Sequence, residues 1–96
     1  MDLLIVEPLE AEVQQWLDAR HELFYAPRLP RDPQAFGEAL SSARAVLVPP
    51  GVGIDADALA QARHLRAIGR IVGGPDNLDL AACAQAGVEV VRSNDA

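Results

Sequence analysis

Two glycine-containing loops hold the residues of this sequence that best fit the binding of a small anion. The first is Gly51-Val52-Gly53, and the second runs from Ile68 to Leu80 and contains Gly73-Gly74. Glycine lets a backbone turn sharply or approach a ligand closely. Asp76 and Asn77 are predicted to cap the next helix, whose free N–H groups favour an anion. The candidate chemistry is anion recognition by backbone N–H groups; the alternative is that both loops are plain connectors.

The first loop also matches a nucleotide-binding pattern by its letters, because residues 51–56 read G-x-G-x-x-A. That pattern belongs at the first strand–helix turn of a dinucleotide-binding unit. Here it follows the third predicted strand, and the next helix is predicted to start at Asp55 or Asp57, inside or just after the match. We therefore expect no nucleotide site, and the loop either faces a small substrate or is an inert connector.

Other reactive side chains are isolated in the sequence. His21 is predicted to lie in a turn, and His64 at the C-terminal end of a helix. Cys83 lies on an apolar helix face, and a single cysteine excludes a disulfide within the chain. We predict neither a metal site nor a cysteine nucleophile.

Strands and helices alternate along the chain, and they must position the two loops. The predicted strands are residues 2–6, 22–26, 45–48, 65–68 and 88–91. The predicted helices are residues 9–19, 33–42, 56–63 and 78–86. The continuous apolar run Leu3–Val6 is typical of a central strand in a parallel sheet. The pattern predicts an α/β fold, a flavodoxin-like open parallel five-stranded sheet of order 2-1-3-4-5 with helices on both faces.

In that fold both glycine loops lie at the carboxyl edge of the sheet, where open α/β proteins hold ligands. Trp16 is predicted to anchor the core from the first helix. The second helix is predicted to start with Asp32 as its cap and to bury Phe36, Ala39 and Leu40.

Composition restricts the classes of partner. The chain has 96 residues, 50% of them hydrophobic, which suits one small folded domain. Its formal charge of −6 argues against nucleic acid or an anionic membrane as partner. It has neither an apolar run of about 20 residues nor the basic flank of a signal peptide, so we expect a cytoplasmic location.

The last third of the sequence resembles a family signature. The segments Leu65–Arg70, Gly73–Leu80 and Ala81–Val91 are similar to the strand, glycine loop, Asp-Asn-x-Asp helix start and final strand of D-2-hydroxyacid dehydrogenases. The D-3-phosphoglycerate dehydrogenase branch is similar as well. The resemblance extends back through Ala45–Leu59 and, more loosely, to the first strand.

This resemblance implies a NAD-dependent oxidoreductase that interconverts 2-hydroxy and 2-keto acids. Residues 1–96 would be the N-terminal segment of its flavodoxin-like substrate-binding (catalytic) domain, and the NAD-binding domain would be absent from this chain. The segment would be inactive alone, because the family's catalytic residues and NAD site come from other parts of the polypeptide.

The resemblance also implies which residues face the substrate. In the family, backbone N–H groups of the loop after the fourth strand receive the substrate carboxylate, and the loop after the third strand faces the substrate. By motif these positions are Val72, Gly73, Gly74, Asn77, Pro50 and Gly51. Pro49-Pro50 replace an Arg-Ser pair of phosphoglycerate dehydrogenases, which removes a cation for phosphate and argues against phosphoglycerate as substrate.

The family resemblance also indicates the partners of the chain. The expected ligand is a small 2-hydroxy or 2-keto acid. A helix that should cover one sheet face would lie outside this chain, so we expect self-association or a homodimer. The alternative function is a non-catalytic flavodoxin-like interaction or assembly module; a flavin site is disfavoured because residues 7–11 offer no phosphate cradle.

Overall fold

A computed structural model describes residues 1–49, 51–70 and 78–92, with only the backbone described for Arg92. Its five strands form one parallel sheet of order β2-β1-β3-β4-β5, which confirms the predicted fold class. The strands are β1 (Leu3–Ile5), β2 (Leu23–Tyr25), β3 (Ala45–Leu47), β4 (Ala67–Arg70) and β5 (Glu89–Arg92).

The helices between the strands are short. They are α1 (Ala11–Asp18), α2 (Pro33–Ser42), α3 (Ala56–Gln61) and α4 (Leu80–Ala86), with a 3-10 turn at Leu29–Arg31 before α2. Within the described ranges, no helix has the length and apolar character needed to cross a membrane.

Three aspartates define where α2, α3 and α4 begin. The carboxylates of Asp32, Asp55 and Asp79 accept hydrogen bonds from backbone N–H groups three residues further on, at 3.2, 2.9 and 3.0 Å. The predicted cap at Asp32 is confirmed. The prediction that Asp76 and Asn77 cap the last helix is wrong, because Asp79 does so: its carboxylate reaches the Ala82 N–H.

One face of the sheet is fully covered. Leu4, Val46 and Ile68 lie side by side in register and are completely buried. They pack in one core with residues of α2, α3 and α4, including Phe36, Leu40, Leu59 and Cys83. Phe36 and Leu40 are buried as predicted, whereas Ala39 is only half-buried.

The opposite face is only partly covered. Alternation along the strands places Ile5, Leu47 and Gly69 there, on the side of α1. The prediction that Trp16 anchors the core is wrong, since 55% of its side chain is exposed. No residue of α1 is fully buried, because the helix lies beside an open apolar groove instead of closing onto the sheet.

Most element boundaries differ from the sequence prediction by one or two residues, and two of the shifted starts have a visible physical reason. Strand β4 starts two residues later than predicted, because the apolar Leu65 is buried in the connection before the strand. Helix α1 starts at Ala11 instead of Leu9; the Leu9 N–H donates a hydrogen bond to the Tyr25 hydroxyl at 3.1 Å, outside the helix.

A pair of glycine substitutions tests the helix geometry. Gly37 lies inside α2, and an added Cβ would meet no atom within 4 Å. Gly37→Ala should raise the free energy of unfolding by about 0.5–1 kcal/mol, because helical glycine carries an entropy cost. Gly87 ends α4 with a left-handed φ of 74°. Gly87→Ala should lower the free energy of unfolding by about 1 kcal/mol, because a side chain is strained at that φ. Urea unfolding followed by circular dichroism measures both; the same sign for both would contradict the helix assignments.

Candidate functional site at the carboxyl edge of the sheet

The loops after β3 and β4 are held together just beyond the strands. Ile54 and Leu78 pair as an isolated parallel bridge, and both side chains are buried. The Asp79 N–H also donates to the Ile54 carbonyl at 3.2 Å. The end of the second glycine loop therefore lies against the first, at the sheet edge where ligands bind in open α/β folds.

Of the residues predicted to face the substrate, Gly51 is described. It has a left-handed φ of 87°, which glycine adopts without the strain of a side chain. With Val52 and Gly53 it lines a cleft of about 440 Å³ between α2 and α3, whose other walls include Phe36 and Leu40. Pro50, Val72, Gly73, Gly74 and Asn77 lie outside the described residues, so their roles stay predictions.

Sequence reasoning missed two buried charged residues at this edge. Glu7, which follows β1, is 5% exposed, and Arg70, at the end of β4, is 4% exposed. The two strands flank β3, so both residues lie beside the candidate loops. The signal in the sequence was weak: a charged residue follows each apolar run, directly for Glu7 and after Gly69 for Arg70, and such residues are also common in turns.

The environment of Glu7 favours its neutral form. Burial raises the pKa of the Glu7 carboxyl, and the positive charge of Arg70 only partly offsets this effect. Glu7 Oε2 is buried and accepts no hydrogen bond from the described residues. This edge therefore holds the buried Arg70 cation beside a carboxyl whose protonated form is favoured by burial.

The helix starts at this edge are unsuitable for a dinucleotide. The G-x-G-x-x-A match at residues 51–56 overlaps the start of α3, a helix of six residues. The Asp55 carboxylate already occupies that helix start, and Asp57 adds a second negative charge in the first turn. A pyrophosphate would be repelled there, so the start of α3 does not fit the pyrophosphate of NAD.

The remaining reactive side chains do not join the site. His21 and His64 are exposed, in the connections before β2 and before β4. Cys83 is buried, and burial, followed by the negative charge of Asp79, raises the pKa of its thiol, which makes it a poor nucleophile. Within residues 1–49, 51–70 and 78–92, no three histidine, cysteine or acidic side chains lie close enough to hold a metal ion.

Comparison with protein families identifies the family of the chain. Residues 3–96 match the family model of the D-isomer specific 2-hydroxyacid dehydrogenase, catalytic domain. The match covers almost the whole chain, and the chain belongs to this family. No curated protein matches the sequence.

Solved structures share the fold. A protein of Pyrococcus horikoshii OT3 superposes with a TM-score of 0.85 at 18% identity, over 95% of this chain and 27% of that one. NAD+-bound 3-phosphoglycerate dehydrogenase of Entamoeba histolytica has a TM-score of 0.77 at 20% identity. That superposition covers 97% of this chain and 32% of the other. 2-Hydroxyacid dehydrogenase of Ketogulonicigenium vulgare Y25 has a TM-score of 0.73 at 26% identity. That superposition covers 93% of this chain and 28% of the other. The chain spans less than a third of each.

The raised pKa of Glu7 predicts a specific pH dependence. The folded state holds the Glu7 proton to higher pH than the unfolded chain, whose ordinary value is near 4.5. The free energy of unfolding of the wild type, minus that of Glu7→Gln, should therefore fall as pH rises above about 4.5 and level off once the folded carboxyl has ionised. Urea unfolding between pH 4 and pH 8 measures this difference.

The control is Glu10→Gln, which removes an exposed carboxyl from the same connection. Comparing the two variants separates the effect of the buried Glu7 carboxyl from the general effect of removing one negative charge from this connection. A Glu7→Gln difference that increases with pH would mean that the Arg70 charge outweighs burial, and our account of this edge would then be wrong.

Proposed function

We propose that this chain is the substrate-binding segment of a NAD-dependent oxidoreductase that interconverts small 2-hydroxy and 2-keto acids. The observation that carries the proposal is the family match over residues 3–96. The Ile54–Leu78 bridge supports it, because it brings the loops after β3 and β4 together at the ligand-binding edge.

In this proposal the loop after β4 receives the substrate carboxylate. Backbone N–H groups of Val72, Gly73 and Gly74 donate to its oxygens, with Asn77 nearby and Pro50-Gly51 on the facing loop. Hydrogen bonds from backbone N–H groups to a carboxylate contribute about 1.5–3 kcal/mol each. The start of α4 adds little, because the Asp79 carboxylate already caps it.

Hydride transfer requires parts that the described residues do not supply. NAD and the groups that move the substrate proton would be held by other parts of a longer polypeptide, and this chain alone is inactive. The cytoplasmic location predicted from the sequence is part of the same proposal.

The proposed substrate is a 2-hydroxy acid without a phosphate group. Arg70 is the described cation at the ends of β1, β3 and β4, and it is buried near Glu7. Pro49 lies two residues before Gly51 in the loop after β3. The related phosphoglycerate dehydrogenases are expected to carry a cation at this position. A dianionic phosphate would therefore lack a charged partner on this loop.

Titration with D-lactate tests the site. Two backbone donors, set against the ordering cost of association, leave about 3–4 kcal/mol, which corresponds to millimolar binding or weaker. In two-dimensional amide spectra the largest shifts should fall on Gly73 and Gly74. Gly74→Val should abolish them, because a branched side chain blocks the approach of the carboxylate.

The matched control is Ala19→Val, which adds a branched side chain at an exposed position just after α1, before β2 and so at the opposite edge of the sheet. It should leave the lactate shifts unchanged. Largest shifts at residues 7–11, or shifts that survive Gly74→Val, would place the carboxylate on a different loop and contradict the proposed site.

A further inference from the structure

The buried Glu7 carboxyl lies at the point of the sheet where open α/β folds usually hold ligands. The connection after β1 leads to α1 on one face of the sheet, and the connection after β3 leads to α3 on the other face. Neighbouring strands whose connections diverge in this way leave a crevice at their carboxyl ends. Glu7 follows β1 directly beside this crevice.

Arg70 lies at the same level of the sheet, on the far side of β3. Backbone hydrogen bonds of 3.0 Å, donated by Val6 and Val48, continue the pairing of β1 with β3 and of β3 with β4 up to this level. The positive charge of Arg70 acts on the Glu7 carboxyl, so each group lies within the electric field of the other. The loop after β4 begins at the next residue of the chain. An anion held by residues 72–74 would therefore enter the same field.

The fold itself makes no use of one oxygen of Glu7. Glu7 Oε2 is buried and has no hydrogen-bond partner within the described residues. The carboxylates of Asp55 and Asp79, at the same edge, are both engaged as helix caps. A buried oxygen without a partner lowers the stability of the folded state. Its presence at a ligand-binding edge is typical of a group retained for function.

We propose, on the basis of the proposed function, that Glu7 sets the affinity of the substrate site through its own charge. The neutral carboxyl leaves the edge one unit of charge more positive and admits the substrate carboxylate at the loop after β4. The ionised carboxyl repels the substrate carboxylate. Binding of a 2-hydroxy acid to the ionised form therefore takes up one proton from solvent onto Glu7.

The electrostatics of two buried groups support this coupling. Protonation of Glu7 changes the charge of the edge by one unit, whichever other groups Arg70 contacts. Buried charges are screened less by salt than exposed ones, so a nearby anion experiences this change. A second negative charge also opposes ionisation of Glu7. Because coupling between two bound species is reciprocal, the anion must in turn bind more tightly when Glu7 is protonated.

Other titratable groups around Glu7 either engage a backbone N–H group or are exposed. The engaged groups are Tyr25 on β2, which accepts from Leu9, and the caps Asp55 and Asp79. The exposed groups are Glu10 and Glu12, on the connection after β1 and on α1. Asp76 lies outside the described residues. Burial raises the pKa of Glu7, and the Arg70 charge partly offsets this effect.

A pH series of D-lactate titrations tests the coupling. Amide spectra give the dissociation constant between about pH 5 and pH 8, where lactate stays ionised. The carboxyl carbon signal of Glu7 reports its ionisation in the same samples, which are kept at constant ionic strength. The wild-type dissociation constant should rise about tenfold over the range in which Glu7 ionises. Saturating lactate should move the midpoint of the Glu7 titration to higher pH.

Glu7→Gln keeps the size of the side chain and removes its ionisation. Its dissociation constant for lactate should stay at the low-pH value of the wild type throughout the series. Glu10→Gln is the matched control, because it removes an exposed carboxyl from the same connection, and it should keep the wild-type profile. His21 and His64 are present in all three proteins, so their titration produces no difference between them.

The possible results separate this inference from the proposed function. A wild-type constant that stays level while Glu7 ionises, or a Glu7 that does not ionise in this range, would overturn the inference alone. A Glu7→Gln profile equal to that of the wild type would do the same. Absence of lactate shifts at Gly73 and Gly74 at every pH, in all three proteins, would overturn the proposed function as well. The wild-type series decides by itself if circular dichroism shows that Glu7→Gln is unfolded.

Discussion

The pairing of Ile54 with Leu78 fixes the geometry on which the candidate site depends. Parallel strands end at one edge of a sheet, but their loops are free to diverge unless something joins them. Here two buried apolar residues continue the β3–β4 pairing past both loops and into the starts of α3 and α4. The Asp55 and Asp79 carboxylates occupy the starts of α3 and α4, so our proposal assigns a bound anion to loop backbone instead of to a helix start. The glycine content of both loops fits that requirement.

The two faces of the sheet are covered to different extents. Three helices close the face around Leu4, Val46 and Ile68, and this core carries the folding of the chain. The other face has α1 alone in the described chain, and Trp16 remains in contact with solvent.

Much of the fold could be predicted from local patterns. The apolar run Leu3–Val6 indicated a central parallel strand, and the structure places β1 between β2 and β3. Asp32 and Gly87 marked helix ends because capping is decided by neighbouring residues. Such features need no knowledge of distant contacts.

The cap of α4 was misplaced locally, at Asp76 and Asn77 instead of Asp79, but the other errors came from contacts between distant segments. Trp16 was expected in the core because its helical spacing is that of a buried residue, yet its burial depends on what else covers that face. Glu7 was overlooked because a charged residue after a strand is usually solvated, and its burial depends on β4. The predicted carboxylate donors at Val72, Gly73 and Gly74 rest on the family resemblance alone, since loop conformation is weakly determined by composition.

The most direct measurement is a crystal structure of the chain grown with D-lactate in excess. Our account predicts that the lactate carboxylate lies at the loop after β4, within hydrogen-bonding distance of the backbone nitrogens of Gly73 and Gly74. It would be contradicted if lactate occupied only the cleft between α2 and α3 beside Gly51, with none at the loop after β4.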